Sequence, residues 1–124
     1  MNRILLLAAI LGIGATIAYL TLALILAGGP RPERTLGLYA EDLRFNSTNP
    51  PITVKAGETI RLILINKDTV VHNFKVRGLI VNSKQIVREG EKDEIILTAG
   101  KPGEYTYICT NHPVIMDGML VVQR

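Results

Sequence analysis

Residues 104–116 have the sequence Glu-Tyr-Thr-Tyr-Ile-Cys-Thr-Asn-His-Pro-Val-Ile-Met, and they contain Cys109, the only cysteine of the 124-residue chain. The first six of these residues alternate in the manner of a half-buried β-strand. His112 follows the cysteine by three residues, and Met116 follows this histidine by four. The stretch therefore predicts a strand that ends at Cys109 and a short loop that carries further metal-binding side chains.

The rest of the chain after residue 34 consists of short β-prone segments separated by turn residues. Residues 59–66 (TIRLILIN) are dense in β-branched side chains and predict a buried central strand. No helical periodicity appears after residue 30. Together these features predict an all-β domain over residues 35–124, built as an antiparallel sandwich or barrel. Its other strands are expected at residues 35–40, 43–47, 52–54, 70–76, 85–88, 94–98, 104–109 and 119–123.

The amino-terminal region has a different composition. Residues 4–27 form an apolar run of 24 residues without a charged side chain. About 20 apolar residues can cross a bilayer as a helix, whereas the apolar region of a signal peptide has about 7–15 residues. We therefore expect residues 1–27 to be an uncleaved transmembrane anchor, with a cleaved signal peptide as the alternative. The Gly- and Pro-rich residues 28–34 predict a linker.

Charge and cysteine content exclude some classes of partner and cross-link. The chain has 14 Lys and Arg residues against 11 Asp and Glu residues, and no basic stripe with interleaved aromatic residues. We therefore expect no binding to nucleic acid. A single cysteine also excludes an internal disulfide bond.

The two histidines of the chain, His72 and His112, complete a set of candidate metal ligands. One thiolate, two imidazoles and one thioether form the ligand set of a mononuclear blue copper site. A structural zinc site usually needs several cysteines in paired spacing, which this chain lacks. A trigonal His₂Cys set with a weak axial Met suits both Cu(I) and Cu(II). The sequence therefore predicts one copper ion held by His72, Cys109, His112 and Met116.

Four short motifs occur in the β-rich part of the chain: residues 71–74 (VHNF), 101–105 (KPGEY), 107–113 (YICTNHP) and 116–118 (MDG). With them the chain, from about residue 37 to residue 124, resembles the cupredoxin family of blue copper proteins, which includes plastocyanin-, amicyanin- and azurin-like members. This resemblance implies an eight-stranded Greek-key β-sandwich, one copper ion per chain, and electron transfer between larger redox proteins rather than catalysis. By the same resemblance, His72, Cys109 and His112 are the equatorial ligands and Met116 is the axial ligand.

The loop spacing departs from the family pattern at one point. Three residues separate His112 from Met116, one more than in amicyanin-like loops and one fewer than in plastocyanin-like loops. Met119 is therefore a rival axial ligand. We favour Met116 because the step Met-Asp-Gly then matches the family at the start of the last strand. Met119 is expected to fill the core, a common use of methionine.

Residues around the ligands are expected to support the site. The resemblance implies that Asn73 ties the two ligand-bearing segments together through the backbone or side chain of Thr110, in the manner of outer hydrogen bonds at metal sites. An apolar collar around the exposed edge of His112 would give redox partners a docking patch. The residues expected to form this collar are Pro113, Val114 and Ile115.

The expected function is that of a single-pass membrane protein whose copper domain lies outside the cytoplasm and passes electrons between redox proteins. The charges that flank residues 4–27 do not decide the orientation; the copper and the short amino-terminal tail favour the outer face. A binuclear copper centre would need a second cysteine. A hydrolase that pairs Cys109 with His112 would lack a carboxylate or amide in an obvious place to orient the histidine. The alternative that remains is a copper carrier without a redox role.

Overall fold

The computed structural model describes residues 15–20, 22 and 28–124. Residues 15–20 and 22 are helical. In the described part of the chain, no helix is long and apolar enough to cross a membrane. The rest of the anchor predicted at residues 1–27 lies outside the described residues. Residues 32–124 form one compact unit. Its first strand begins at Arg34, which the sequence placed in the linker.

Two β-sheets make up this unit. The first sheet has the strand order β2-β1-β4-β7, and the second has the order β3-β9-β8-β5-β6. The strands in the described residues are β1 (Arg34–Glu41), β2 (Arg44–Phe45), β3 (Ile52–Lys55), β4 (Thr59–Asn66), β5 (Lys75–Val76), β6 (Val81–Asn82), β7 (Lys92–Thr98), β8 (Gly103–Ile108) and β9 (Asp117–Gln123).

The predicted central strand is confirmed as β4, in which the buried residues Ile60, Leu62 and Leu64 alternate with partly exposed ones. The predicted all-β sandwich is present, but the expectation that its strands are antiparallel is wrong for two pairs. β1 pairs with β4 in parallel, and β3 pairs with β9 in parallel. In each pair the two strands are not consecutive in the chain, and such neighbours can run parallel because no hairpin joins them. The core lies between the sheets.

Three of the predicted strands are much shorter in the structure or absent from it. The strand predicted at residues 43–47 is reduced to Arg44 and Phe45. Within residues 70–76 only Lys75 and Val76 form a strand, and residues 85–88 form none. Instead, His72 and Ile86 form an isolated antiparallel bridge, with N–O distances of 3.1 and 2.8 Å. The side-chain amide of Asn66 donates to the backbone carbonyls of Val70 at 2.8 Å and Ile86 at 3.1 Å, and the bond to Val70 takes the place of a ladder bond. The described residues therefore contain nine strands rather than the eight that the family resemblance implies.

Three aromatic side chains form the part of the core nearest to the predicted ligands. Phe45, Phe74 and Tyr107 are fully buried. Their ring centroids lie 5.3–5.7 Å apart, and Phe45 meets both other rings edge to face, an arrangement that aromatic pairs prefer. Phe74 and Tyr107 each lie two residues from a predicted ligand along the chain. These rings and Cys109 belong to one buried core cluster, so the strands that carry the predicted ligands start from closely packed positions.

Candidate metal centre

The loop after β8 is closed by its own backbone. The amide of Cys109 donates to the carbonyl of Met116 at 2.9 Å, and the amide of Met116 donates to the carbonyl of His112 at 2.9 Å. The amide of His112 in turn donates to the carbonyl of Cys109 at 3.1 Å. Cys109 and Met116 are fully buried, whereas His112 is partly exposed. These bonds fix the spacing of the three side chains without help from other strands.

The bridge to Ile86 brings His72 to the same place from another part of the chain. The imidazole of His72 is fully buried. Its Nδ1 lies 3.9 Å from Sγ of Cys109, and its Nε2 lies 2.8 Å from Oδ2 of Asp68. A carboxylate only accepts hydrogen bonds, so Nε2 carries the proton of the neutral ring. The lone pair of Nδ1 therefore faces the sulfur.

The separation of these two donors fits a shared metal ion. Bonds of about 2.0 Å to nitrogen and 2.3 Å to sulfur, at a trigonal angle, put the two donor atoms roughly 3.7 Å apart. The observed Nδ1–Sγ distance is 3.9 Å, and the ring centroids of His72 and His112 are 5.4 Å apart. A soft thiolate beside two imidazoles also suits copper.

The ring of His112 stands further from the other donors. Among the described residues, no three His, Cys, Asp or Glu side chains lie close enough together to form a metal-binding group by themselves. His112 lies on a partly exposed loop, so rotation of its side chain can bring the imidazole towards His72 and Cys109.

The structure separates the two candidate methionines. Met116 is fully buried in the same core cluster as Cys109. Met119 is 42% exposed and lies on β9 next to the buried Leu120. Neighbours in a strand point to opposite faces, so the side chain of Met119 lies on the outer face of the sheet. The expectation that Met119 fills the core is therefore wrong.

The expected contacts between Asn73 and Thr110 are present. Oδ1 of Asn73 accepts hydrogen bonds from the backbone amide of Thr110 at 2.8 Å and from its hydroxyl at 3.0 Å. Asn73 is 3% exposed. One buried carbonyl oxygen thus joins the residue after His72 to the residue after Cys109.

Replacing Asn73 by Ala is expected to destabilise the metal-free protein by about 1–3 kcal/mol, because the Thr110 amide and hydroxyl lose their shared acceptor in a part-buried place. Denaturant unfolding of the apoprotein measures this loss. Asn111→Ala is the matched control, since Asn111 is exposed and its amide donates to the side chain of Gln85 at 2.7 Å and only at 3.9 Å to Sγ of Cys109. Equal stabilities of the two variants would contradict the proposed link.

Sequence reasoning missed Asp68. Burial alone would raise its pKa, but hydrogen bonds from His72 and from backbone amides of Asp42 and Leu43 outweigh that cost and lower the pKa below its usual value. Asp68 orients His72 and not His112, so the expectation that a hydrolase pairing Cys109 with His112 lacks an orienting carboxylate stays a prediction. The hydrolase alternative gains little from this, because Cys109 and His72 are both fully buried and offer a substrate no access.

The three residues expected to surround His112 are exposed. Val114 is 87% exposed and Ile115 is 47% exposed, and Pro113 is exposed as well. The side-chain amide of Asn49 donates to the carbonyl of Ile115 at 2.8 Å. This contact holds the apolar end of the loop in place beside the partly exposed histidine ring.

Known proteins share this fold and part of this sequence. Amicyanin from Paracoccus versutus is 35% identical over 78 residues, or 60% of this chain and 55% of that protein, so the chain spans about half the length of this curated relative. Auracyanin A, a "blue" copper protein from the green thermophilic photosynthetic bacterium Chloroflexus aurantiacus, is 27% identical, with 72% of this chain and 98% of that one covered and a TM-score of 0.62.

Auracyanin B shares the fold at 21% identity and a TM-score of 0.65, over 78% of this chain and 94% of its own. The cupredoxin-like domain matches residues 15–122, which is most of the sequence. The chain therefore belongs to the cupredoxin-like family.

Proposed function

We propose that this protein is a mononuclear type 1 copper protein that transfers single electrons. His72, Cys109 and His112 are the equatorial ligands in this proposal, and Met116 is the axial one. The observation that carries it is the 3.9 Å approach of a buried imidazole nitrogen to a buried thiol, at a loop that also supplies the other two donors. The amicyanin and auracyanin relatives support the assignment of copper.

When bound, copper supplies a centre that gains and loses one electron. The chain holds the donor atoms in place and keeps water away from them. The backbone bonds from Cys109 to Met116 and the Asn73–Thr110 contacts keep the donors in one arrangement. Burial of Cys109 and Met116 excludes water from the thiolate and thioether. A site that neither rearranges nor takes up water loses little energy on each electron transfer.

The edge of the site that reaches the surface belongs to His112, which is partly exposed. The surrounding collar of Pro113, Val114 and Ile115 gives a partner an apolar surface to cover at this edge. We propose that redox proteins dock here and that electrons pass through the imidazole. Residues 1–27 would hold the domain on the outer face of the cytoplasmic membrane, where tethering raises the effective concentration of a membrane-bound partner.

A copper carrier is the second candidate. A carrier exchanges its ion readily, and the partly exposed His112 is the one ligand through which exchange could begin. The full burial of Cys109 and His72 favours slow exchange instead. Reversible one-electron cycling at a fixed potential supports the electron carrier, whereas rapid loss of Cu(I) to a weak chelator supports the copper carrier.

The direct test is titration of the full chain in detergent with Cu(II), followed by visible absorption and electron paramagnetic resonance. An intense blue or green colour, a narrow copper hyperfine splitting and one copper per chain are expected for a thiolate-bound type 1 site. A colourless complex with wide splitting would show that Cys109 is not a ligand and would overturn the proposal.

Replacing Met116 by Gln is expected to leave copper bound and to lower the reduction potential, because a harder axial ligand favours Cu(II). A tenfold rise in the preference for Cu(II) over Cu(I) corresponds to about 59 mV for one electron. Protein-film or mediated voltammetry measures the change. The control is Met119→Leu, which alters an outward-facing methionine. If the potential is unchanged in Met116→Gln and changes strongly in Met119→Leu, Met119 and not Met116 is the axial ligand.

A further inference from the structure

Asp68 lies behind the buried histidine, on the side away from Cys109. Its Oδ2 accepts the Nε2 proton of His72 at 2.8 Å, and its Oδ1 accepts the backbone amide of Asp42 at 3.1 Å. The carboxylate is largely enclosed, with 18% of the side chain exposed. Asp42 and Leu43 form the turn between β1 and β2 with φ values of 51° and 57°, and this left-handed turn aims backbone amides at the carboxylate.

A second side chain fixes Asp68 to the same framework as His72. Asn66 is fully buried, and its Oδ1 accepts the backbone amide of Asp68 at 2.8 Å. Its Nδ2 donates to the carbonyls of Val70 at 2.8 Å and Ile86 at 3.1 Å. Ile86 also forms the backbone bridge to His72. The carboxylate and the imidazole are thus held by one hydrogen-bonded unit.

We propose that Asp68 is a positioning residue that fixes the tautomer of His72 before copper binds and that its negative charge lowers the reduction potential of the site. The inference rests on the proposed copper function. Accepting the Nε2 proton leaves Nδ1 as the free donor that faces Sγ of Cys109. No proton moves in this role: reduction adds one electron to copper while Asp68 stays an ionised acceptor.

The effect of Asp68 on copper affinity and on the reduction potential depends on its hydrogen bond to His72 and on the burial of that ring. A carboxylate that accepts the outer N–H of a ligating histidine makes the ring a stronger donor, and removing such a partner typically costs 10–100-fold in metal affinity. The charge of Asp68 acts through a fully buried ring, where water screens it little. Both effects favour the more highly charged Cu(II) over Cu(I).

The experiment compares Asp68→Asn and Asp68→Ala with the unaltered full chain. Asp68→Asn keeps the shape and an accepting oxygen but removes the charge, and we expect the Cu(II) to Cu(I) affinity ratio to fall about tenfold, a rise of about 59 mV. Asp68→Ala removes the acceptor. Long-range ¹H–¹⁵N spectra of its metal-free form, at mildly alkaline pH, are expected to show both tautomers of His72, where the unaltered protein shows the Nε2–H form alone.

The matched control is Glu58→Gln, which removes one charge from a turn carboxylate at the other end of β4 and is expected to change neither readout. Unchanged potential in Asp68→Asn together with an unchanged tautomer in Asp68→Ala would overturn the role of Asp68. The two proposals fail separately: a colourless copper complex of the unaltered chain overturns the type 1 site, whereas the tautomer of the metal-free protein does not depend on copper.

Discussion

Cys109→Ser is expected to abolish the intense visible absorption of the copper-loaded protein. The colour of a type 1 site comes from its copper–thiolate bond, and the chain has no other cysteine to replace it. Serine has nearly the same shape, and the side chain is fully buried between the sheets. The variant therefore keeps the fold while it loses the soft donor. Absorption and paramagnetic resonance spectra of the loaded variant measure the loss.

A second sulfur supplies the control for this variant. Met119→Leu removes a sulfur atom from the outer face of the second sheet, and the full colour is expected to remain. Circular dichroism of both apoproteins establishes that they are folded. Full colour in Cys109→Ser would contradict the assignment of the thiolate, whatever the behaviour of the control.

Local sequence placed the four candidate donor side chains in one region because rare residue types occur there at short spacing. Cys109, His112 and Met116 are close in the chain, and the loop that joins them is closed by its own backbone bonds. His72 was added as the only other histidine and by the resemblance of residues 71–74 to the family. The approach of its Nδ1 to Sγ of Cys109 does not depend on the strand boundaries, which were partly wrong. The copper-binding role of the four residues stays a prediction.

The features that sequence did not reveal depend on contacts between distant segments. Asp68 reaches His72 across an irregular turn, where a spacing of four residues carries no periodic signal. The strand predicted at residues 70–76 is mostly replaced by a single bridge. At its start, the side chain of Asn66 takes up the Val70 carbonyl that a strand ladder would otherwise use. Residue composition alone does not reveal where a side chain competes with the backbone for such hydrogen bonds.

The outward position of Met119 has a similar origin. A Met in an apolar strand end such as MLVVQ can fill either face, and alternation alone does not fix the register. The register is set by Gly118, which pairs directly with Tyr107 on β8 and lets the tyrosine ring lie across it. The alternation that starts from Gly118 then turns Leu120 inward and Met119 outward.

Gly118→Ala is expected to destabilise the protein by about 3 kcal/mol, at the upper end of the range for overpacked cores. A Cβ at this position would meet the Cζ, Oη and Cε1 atoms of Tyr107 closer than the 3.0 Å that real Cβ atoms respect. The ring cannot move aside, because Phe45 and Phe74 pack against it and its hydroxyl donates to the carbonyl of Pro50 at 2.5 Å. Burial raises the pKa of the Tyr107 phenol, so this donor stays protonated.

Denaturant unfolding of a double-mutant cycle tests whether the tyrosine ring is the cause. In a Tyr107→Leu background the three clashing atoms are absent, so adding Gly118→Ala should cost much less than it does in the unaltered chain. Gly100→Ala is the matched control, because a Cβ there meets nothing within 4 Å and its backbone has no positive φ. Equal costs of Gly118→Ala in both backgrounds would mean that the glycine is required for another reason. Strong coupling would explain in physical terms why a glycine follows Met116 and Asp117. The last strand must pass under a buried tyrosine before the loop that carries Cys109, His112 and Met116 can close.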